Sequence, residues 1–544
     1  MHDAARPCHV PPLIARRRFL WGTAAVAALA SGCAGTGAPA GRTLVIGTAT
    51  RPNSFDPHYQ YFGPNRQAHM PVFEPLAMYG PGLELRPALA TGWRALDDST
   101  WEITLRPDVV FHDGSPFVAD DVVFSLDRAG KVPNSPSTLG VFVRAIERIE
   151  IVKPLTLRIR TKAATPLLMH DLANVPIVSK RISSSATTAS FNAGKGIIGT
   201  GPYRFVRWED TLIQYEASEG HWAGPQPWQR VHVVTMDNAQ ARVRSLLAEQ
   251  CQLIDQVPAA SVAALGQAAN IRLFDTASNF LMFLHMDQAR PVTPYVTDKQ
   301  GRSMPNPLRD VRVRKALSLA IDRAALTNGV LGKSAVPANQ LLPRSFPGTI
   351  QELDAIAYDP QKARDLLAAA GHANGFRLVM HGTDGRYASD KQVLAAIALG
   401  LRDIGIDTQS VSLPSTEFFA RASAGTGKNG EPEFSVIQVG WASVEPSGAL
   451  KGLLATPDKS TGFGSSNRGM YSNPKVDDTL ARALRTVDSH ARENLIREAT
   501  RQSVVEDQGI IPLYYPTNTW AALRHIRYAP RVDSATYPMD AVQA

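Results

Sequence analysis

Cysteine is nearly absent from this 544-residue chain, which holds only Cys8, Cys33 and Cys251. No Cys-x-x-Cys occurs, and no Cys/His spacing fits a zinc site. If Cys33 is modified or removed, no internal disulfide can form, and Cys251 reads as a core residue. Catalytic signatures are lacking too. There is no HExxH, no GxSxG elbow and no GxGxxG following a strand. Residues 424–432 look faintly like a phosphate loop. However, Asn429 follows Lys428 where a Ser or Thr is needed, and no buried strand leads in, so they read as a surface loop. The 11 histidines after Cys33 include no pair at tight ligand spacing. His285 and Asp287 would share a face on a strand, and ordinary polar placement is expected of them. Concentrated charge is also scarce. The net charge is +8, the first 33 residues supply +3 of it, and no Lys/Arg run follows. Binding nucleic acid requires a dense basic surface, so it is not an expected partner. After the leader no apolar run reaches the roughly 20 residues that a membrane-spanning helix needs.

What is present starts with the leader. Residues 1–33 carry Arg16-Arg17-Arg18, an apolar stretch from Phe19 to Ala30, and small residues up to Cys33. That order is an export signal. Arg16 and Arg17 with Arg18-Phe19-Leu20 resemble the twin-arginine export motif, with an ordinary secretory signal as the alternative. The sequence ending at Cys33 resembles a lipobox, except that Ala30 stands where Leu is preferred. The Cys is then acylated, or the leader is cleaved to leave a soluble periplasmic form. Residues 34–42 are a spacer.

Further on, strands and helices interleave, which makes the class α/β or mixed. Residues 100–105 alternate Trp101, Ile103 and Leu105 with polar residues, and residues 155–161 repeat the pattern. Val313, Ala316, Leu317, Ala320, Ile321 and Ala324 form one helical stripe with Asp310 as N-cap. Asp359, Pro360 and Gly371 bracket another helix, and two more meet near Asp488. Residues 183–196 and 422–433 read as loops. One stretch looks reactive: His112 and Asp113 adjoin, and Asp120 and Asp121 follow. Asp113-Gly114 is a turn dipeptide, and first-turn carboxylates suit a helix N-terminus, so scaffold is the expectation.

That stretch, Phe111-His112-Asp113-Gly114 and then Val118-Ala119-Asp120-Asp121-Val122, resembles a signature of the bacterial peptide/nickel-type extracytoplasmic solute-binding proteins, family 5. Val118 replaces the family's capping Thr. Residues 199–209, 310–323, 358–371, 471–484 and 509–516 match the family in the same order. The resemblance implies a two-lobed periplasmic-binding-protein fold (type II, large and peptide-binding-protein-like) with an extra subdomain on lobe 1. Lobe 1 is then 43–77, 176–277 and 508–544, the subdomain 78–175, and lobe 2 278–507. It further implies a protein that is not an enzyme and uses no cofactor. It would capture a peptide-like or other organic solute in the interlobe cleft and deliver it to ABC permease subunits, as a monomer. Two rival readings are an exported enzyme and a docking or sensor module on the same fold. In peptide-binding members a Gly-Trp-x-x-Asp segment supplies an Asp for the α-ammonium. Here Val444 holds that place in the shortened run from Gly440 to Pro446, with Trp441, Ser443 and Glu445. Glu445 either substitutes for the Asp or forms a turn before Pro446. Trp441 packs on the ligand or in the core. Of Tyr514 and Tyr515, one is expected to face the cleft and the other the core. No His stands at a nickel or haem position, so no metal is expected.

Overall fold

The computed structural model describes residues 42–423 and 430–544. Arg16, Arg17, Cys33 and the Lys428-Asn429 stretch lie outside the described residues. No helix among the described residues is long and apolar enough to cross a membrane.

The period-2 segments form a separate four-stranded antiparallel sheet. Its order is Ala90–Asp97, Thr100–Leu105, Thr156–Thr161, Ile146–Lys153. Trp101, Ile103, Leu105, Leu157 and Ile159 point into one core, where helix Ala119–Arg128 covers them. Glu102 lies on the other face between Arg94 and Arg158. This is the half-wet sheet that strict alternation encodes.

Apart from two short pairs, Ala77–Tyr79 with Leu85–Pro87 and Ile526–Tyr528 with Ala541–Gln543, the remaining strands fall into two groups. One places Thr43–Thr48 parallel to Arg230–Thr235 and to Leu253–Ile254. The other places Arg377–Asp384 parallel to Asp407–Pro414 and to Val436–Ala442, with Phe280–Met286 antiparallel beside the last. One 14-residue strand, Ile510–Leu523, belongs to both groups. Its first part pairs with Phe280–Met286, and its last seven residues pair with Ile271–Ala277. The chain therefore crosses between groups at residues 277–280 and again at 514–517. Strand Phe280–Met286 is covered on both faces, which is why it reads as a continuous apolar run. Met282 and Leu284 enter one core, and Leu281 and Phe283 enter the other. The first group has its own core around Leu44, Ile46, Tyr215 and Trp520.

The expected caps are in place. Asp310 accepts from the Arg312 amide at 2.8 Å, Asp359 from Lys362 at 2.9 Å and Asp488 from Ala491 at 2.8 Å. The helix after Asp310 is shorter than its stripe implied. It ends at Leu319, and Asp322 caps a new turn by accepting from the Ala325 amide at 2.8 Å. The break turns Ala324 to solvent. Residues 183–196 are not all loop either: Thr187 accepts from the Ser190 amide at 3.2 Å and starts helix Thr188–Asn192. That helix buries only Phe191, too little apolar pattern to be seen in sequence.

The reactive-looking stretch is held by structural partners. A ring nitrogen of His112, Nε2, lies 2.8 Å from the Gly201 carbonyl. Asp113 accepts from the Ser115 amide at 3.0 Å and pairs with Arg181, and Gly114 has φ of +81°. Asp121 accepts from the Val118 amide at 3.0 Å and the Lys180 amide at 2.8 Å. This reaching-back carboxylate satisfies the N-terminus that Val118 cannot cap.

Candidate functional site

In open α/β sheets, ligands settle outside the carboxyl ends of the parallel strands. Here Asp384, Pro414 and Ala442 end three parallel strands on one edge, and that edge is where the chain crosses to the other group. The strands ending at Thr48, Ile254 and Ala277 present their own carboxyl ends to the same crossing. Two sheets thus point their ligand-favouring edges at one crevice.

Trp441 stands at that edge and lines a cavity of about 590 Å³. Its Nε1 donates to Ser443 Oγ at 3.1 Å. Gly452 makes room for the indole, since a Cβ there would lie 2.9 Å from the ring. Arg144, which follows the short helix Gly140–Val143, lines the same cavity with Lys451 and Lys459. No carboxylate lines it. The nearby Asp171 has its pKa pushed up to about 7 by burial, with Arg144 pulling the other way.

Beside this cavity, residues that follow two other parallel strands form an aromatic and cationic group. The Arg386 and Arg468 guanidinium carbons sit 5.0 and 5.5 Å from the Phe419 ring centre. Tyr387 Oη accepts from the Gly440 amide at 3.3 Å. Burial lowers the Arg468 pKa, and its Nε is buried without a hydrogen-bond partner. The edge suits a flat or apolar group carrying negative charge.

The other expected site residues are distributed as follows. Val444 is 38% exposed. Glu445 is buried, and its carboxylate is engaged twice, by Arg492 Nη1 at 2.8 Å and by the Ser447 hydroxyl. Burial raises its pKa against the pull of Arg492. Its carboxylate is therefore not free for an ammonium. Tyr514 and Tyr515 point to opposite faces, but each enters a core, and neither lines the Trp441 cavity. Tyr515 donates to the Gln340 carbonyl at 2.8 Å. Covering elements bury both faces of this strand, and both tyrosines are enclosed. His285 Nε2 lies 3.3 Å from the Leu453 carbonyl, and Asp287 falls beyond the strand end. Among the described residues no group of three His, Cys, Asp or Glu is arranged to hold a metal ion. Cys251 is buried and takes the Ser245 hydroxyl at 3.1 Å. Sequence reading missed Arg386, Tyr387, Phe419, Lys451 and Arg468. The usable signal was positional, since Arg386 and Tyr387 directly follow a strand and its Gly385 turn.

Two sheets that share a ligand-favouring crevice and are joined by crossing strands define a hinged solute-binding protein. The profile of the bacterial extracellular solute-binding proteins, family 5, middle region, matches residues 84–461, and the chain belongs to that family. It is an extracytoplasmic substrate-binding protein of an ABC importer, and its family consists of transport binding proteins. A glutathione-binding protein of Pectobacterium atrosepticum is 29% identical over 475 residues, covering 85% of this chain and 86% of that protein. Heme-binding protein A of Haemophilus influenzae is 27% identical over 86% of this chain and 85% of its own. In fold, the chain is similar to HbpA2 from Haemophilus parasuis, with a TM-score of 0.79, 23% identity, and coverage of 92% of this chain and all of that one. The unliganded open form of the murein tripeptide-binding protein MppA gives the same score at 22% identity, covering 93% of this chain and 99% of that one.

Proposed function

We propose that this protein captures a peptide-like or other organic solute whose flat or apolar part packs on Trp441 and which lacks a free α-ammonium there. One observation carries this reading: the Trp441 cavity, at the crossing edge, contains no carboxylate. Burying an ammonium without a counter-charge is costly. Val444 offers none, and Glu445 is held by Arg492. N-blocked or cyclic peptides and amide-rich conjugates fit. The relatives named for glutathione and heme support an organic solute. Ser443 positions Trp441 and is not itself the specificity group. Residues 43–77, 176–277 and the end of the chain act as one lobe, residues 278–507 as the other, and residues 78–175 as an appended subdomain. The strand Ile510–Leu523 is shared between the lobes. The protein acts as a monomer, without catalysis, and hands its solute to the permease.

Native mass spectrometry of protein purified without refolding is expected to show a co-purified organic solute. That solute should raise the melting temperature of the wild type and bind Trp441→Ala at least tenfold more weakly. Turnover of the solute, or equal binding by both proteins, would sink this reading. For the leader, Arg16→Lys with Arg17→Lys is expected to stop export, and membrane-fraction protein is expected to carry a diacylglyceryl group on Cys33. Normal periplasmic yield of the first, or a soluble product cleaved elsewhere, rejects the corresponding step.

A further inference from the structure

The Trp441 cavity has a charge asymmetry. Arg144, Lys451 and Lys459 line it, no carboxylate does, and none of the three forms an ion pair among the described residues. Like charges around one cavity repel, even where, as at the exposed Arg144 and Lys459, solvent screens them in part. The neighbouring acids are committed elsewhere. Asp458 accepts from the Ser460 amide and hydroxyl, both at 2.8 Å, and from the Thr461 hydroxyl at 2.9 Å. Glu147 pairs with Arg160 at 3.1 Å. Burial raises the Asp171 pKa to about 7 against the pull of Arg144, so near neutral pH it offers Arg144 only a fractional counter-charge. Ser460 and Thr461 spend their hydroxyls on Asp458, which leaves the three cations and Ser465 as the polar face of the cavity.

Resting on the solute-binding reading, we infer that the solute bears a carboxylate or phosphate group, and that this anion binds between Arg144 and the two lysines. The geometry gives the anion a second task. Arg144 belongs to the subdomain, at the end of the short helix Gly140–Val143. Lys451 and Lys459 belong to the opposite lobe, around the turn Leu450–Leu454 and the loop after it. A neutral solute stacked on Trp441 touches one side only. An anion bridged by Arg144 and the lysines touches both, so it favours the closed cleft through differential contact.

Citrate and its neutral triethyl ester are the probes, measured by calorimetry at low ionic strength on the full mature protein. Citrate is expected to bind the wild type, with affinity falling as sodium chloride is added, while the ester does not bind. Lys451→Ala/Lys459→Ala, and separately Arg144→Ala, are each expected to weaken citrate at least tenfold with unchanged melting temperature. Citrate binding that is absent, or equal in wild type and variants, overturns the anion site. The co-purified solute gives an independent arm. A neutral or cationic solute that still depends on Trp441 would overturn this inference and leave the solute-binding reading standing. Loss of solute dependence on Trp441 with intact citrate binding would do the reverse.

Discussion

Arg492→Met isolates the role of Glu445. The Arg492–Glu445 pair is buried on both sides, with side-chain exposures of 10% and 8% and a 2.8 Å contact. Removing the guanidinium strands a buried carboxylate that retains only the hydroxyl and backbone amide of Ser447. Breaking a buried pair from one side costs about 3–5 kcal/mol, whereas replacing both partners is often near neutral. Urea unfolding is therefore expected to show Arg492→Met destabilised by about 3 kcal/mol or more at pH 8. The double variant Glu445→Gln/Arg492→Met should recover most of that loss, a coupling that a double-mutant cycle reads directly. The pH sign follows from the raised Glu445 pKa. A carboxyl whose folded pKa lies above its unfolded value favours folding when protonated and loses that contribution as pH rises. The Arg492→Met deficit should therefore shrink toward pH 5. His170, whose pKa is lowered to about 4 by burial and then by the Arg492 charge, should titrate higher in the same variant. Because Glu445 is tied to Arg492, the double variant should bind the co-purified solute within about twofold of wild type. A tenfold loss of affinity in that variant, with stability restored, would show that Glu445 serves the ligand and refute the reasoning.

Trp441→Ala is expected to cost about 1–3 kcal/mol of solute binding by calorimetry, the range for a large aromatic anchor, with little change in unfolding midpoint. Asp121→Asn should lower stability by about 1–2 kcal/mol in urea unfolding, because two amides lose a charged acceptor, while affinity stays unchanged. Affinity lost at constant stability would instead move that stretch into the site. Burial lowers the pKa of His69 and of His285 to about 3, so both rings should stay neutral from pH 8 to 5 in nitrogen-resolved NMR. Unfolded His protonates near 6.5, so these two contribute stability present above that value and lost as pH falls toward 3. Visible titration of either ring near pH 6.5 would contradict their burial.

Much of the fold was legible because its signals are local. The alternation at Trp101, Ile103 and Leu105, and the caps at Asp310, Asp359 and Asp488, act within one turn or one strand of their own residues. The misreadings have two causes: helix Thr188–Asn192 carries too little apolar pattern to show, and the second is an overlooked cap. The stripe ending at Ala324 ignored that Asp322 is itself a cap, and a second cap inside an apolar pattern divides the helix. The site was less legible, because what decides a role there is the partner. Glu445 and Val444 adjoin in sequence, yet the position of Arg492, 47 residues on, determines that Glu445 is occupied. Tyr514 and Tyr515 carry no mark of burial, and only covering elements on both faces of their strand make both of them core. Lys451 and Lys459 come together with Arg144 from more than 300 residues away, a separation that no periodicity records.

The same edge ties Trp441 to the peptide where the chain crosses between the two strand groups. Trp441 donates to Ser443 Oγ, and the Ser443 amide donates to the Asn279 carbonyl at 3.2 Å. Asn279 Nδ2 returns a bond to the Ser443 carbonyl at 2.9 Å, while the Asn279 amide donates to the Val532 carbonyl at 3.1 Å. Val532 packs with Tyr79, Leu83, Leu342 and Phe346, so Asn279 ties the Trp441 segment to this cluster where the chain crosses between the strand groups. A ring held to the crossing peptide through three short links cannot shift far without turning that peptide. Under the proposed reading, contact with Trp441 alone would favour neither an open nor a closed cleft, because a ligand moves an equilibrium only by its difference in affinity for the two states. That difference has to come from a group that reaches the far wall. Arg144 lines the cavity from a segment about 300 residues before Lys451 and Lys459. An anionic solute would be bound at Trp441 and paired with Arg144 on closure, making selection by charge and closure of the cleft a single event.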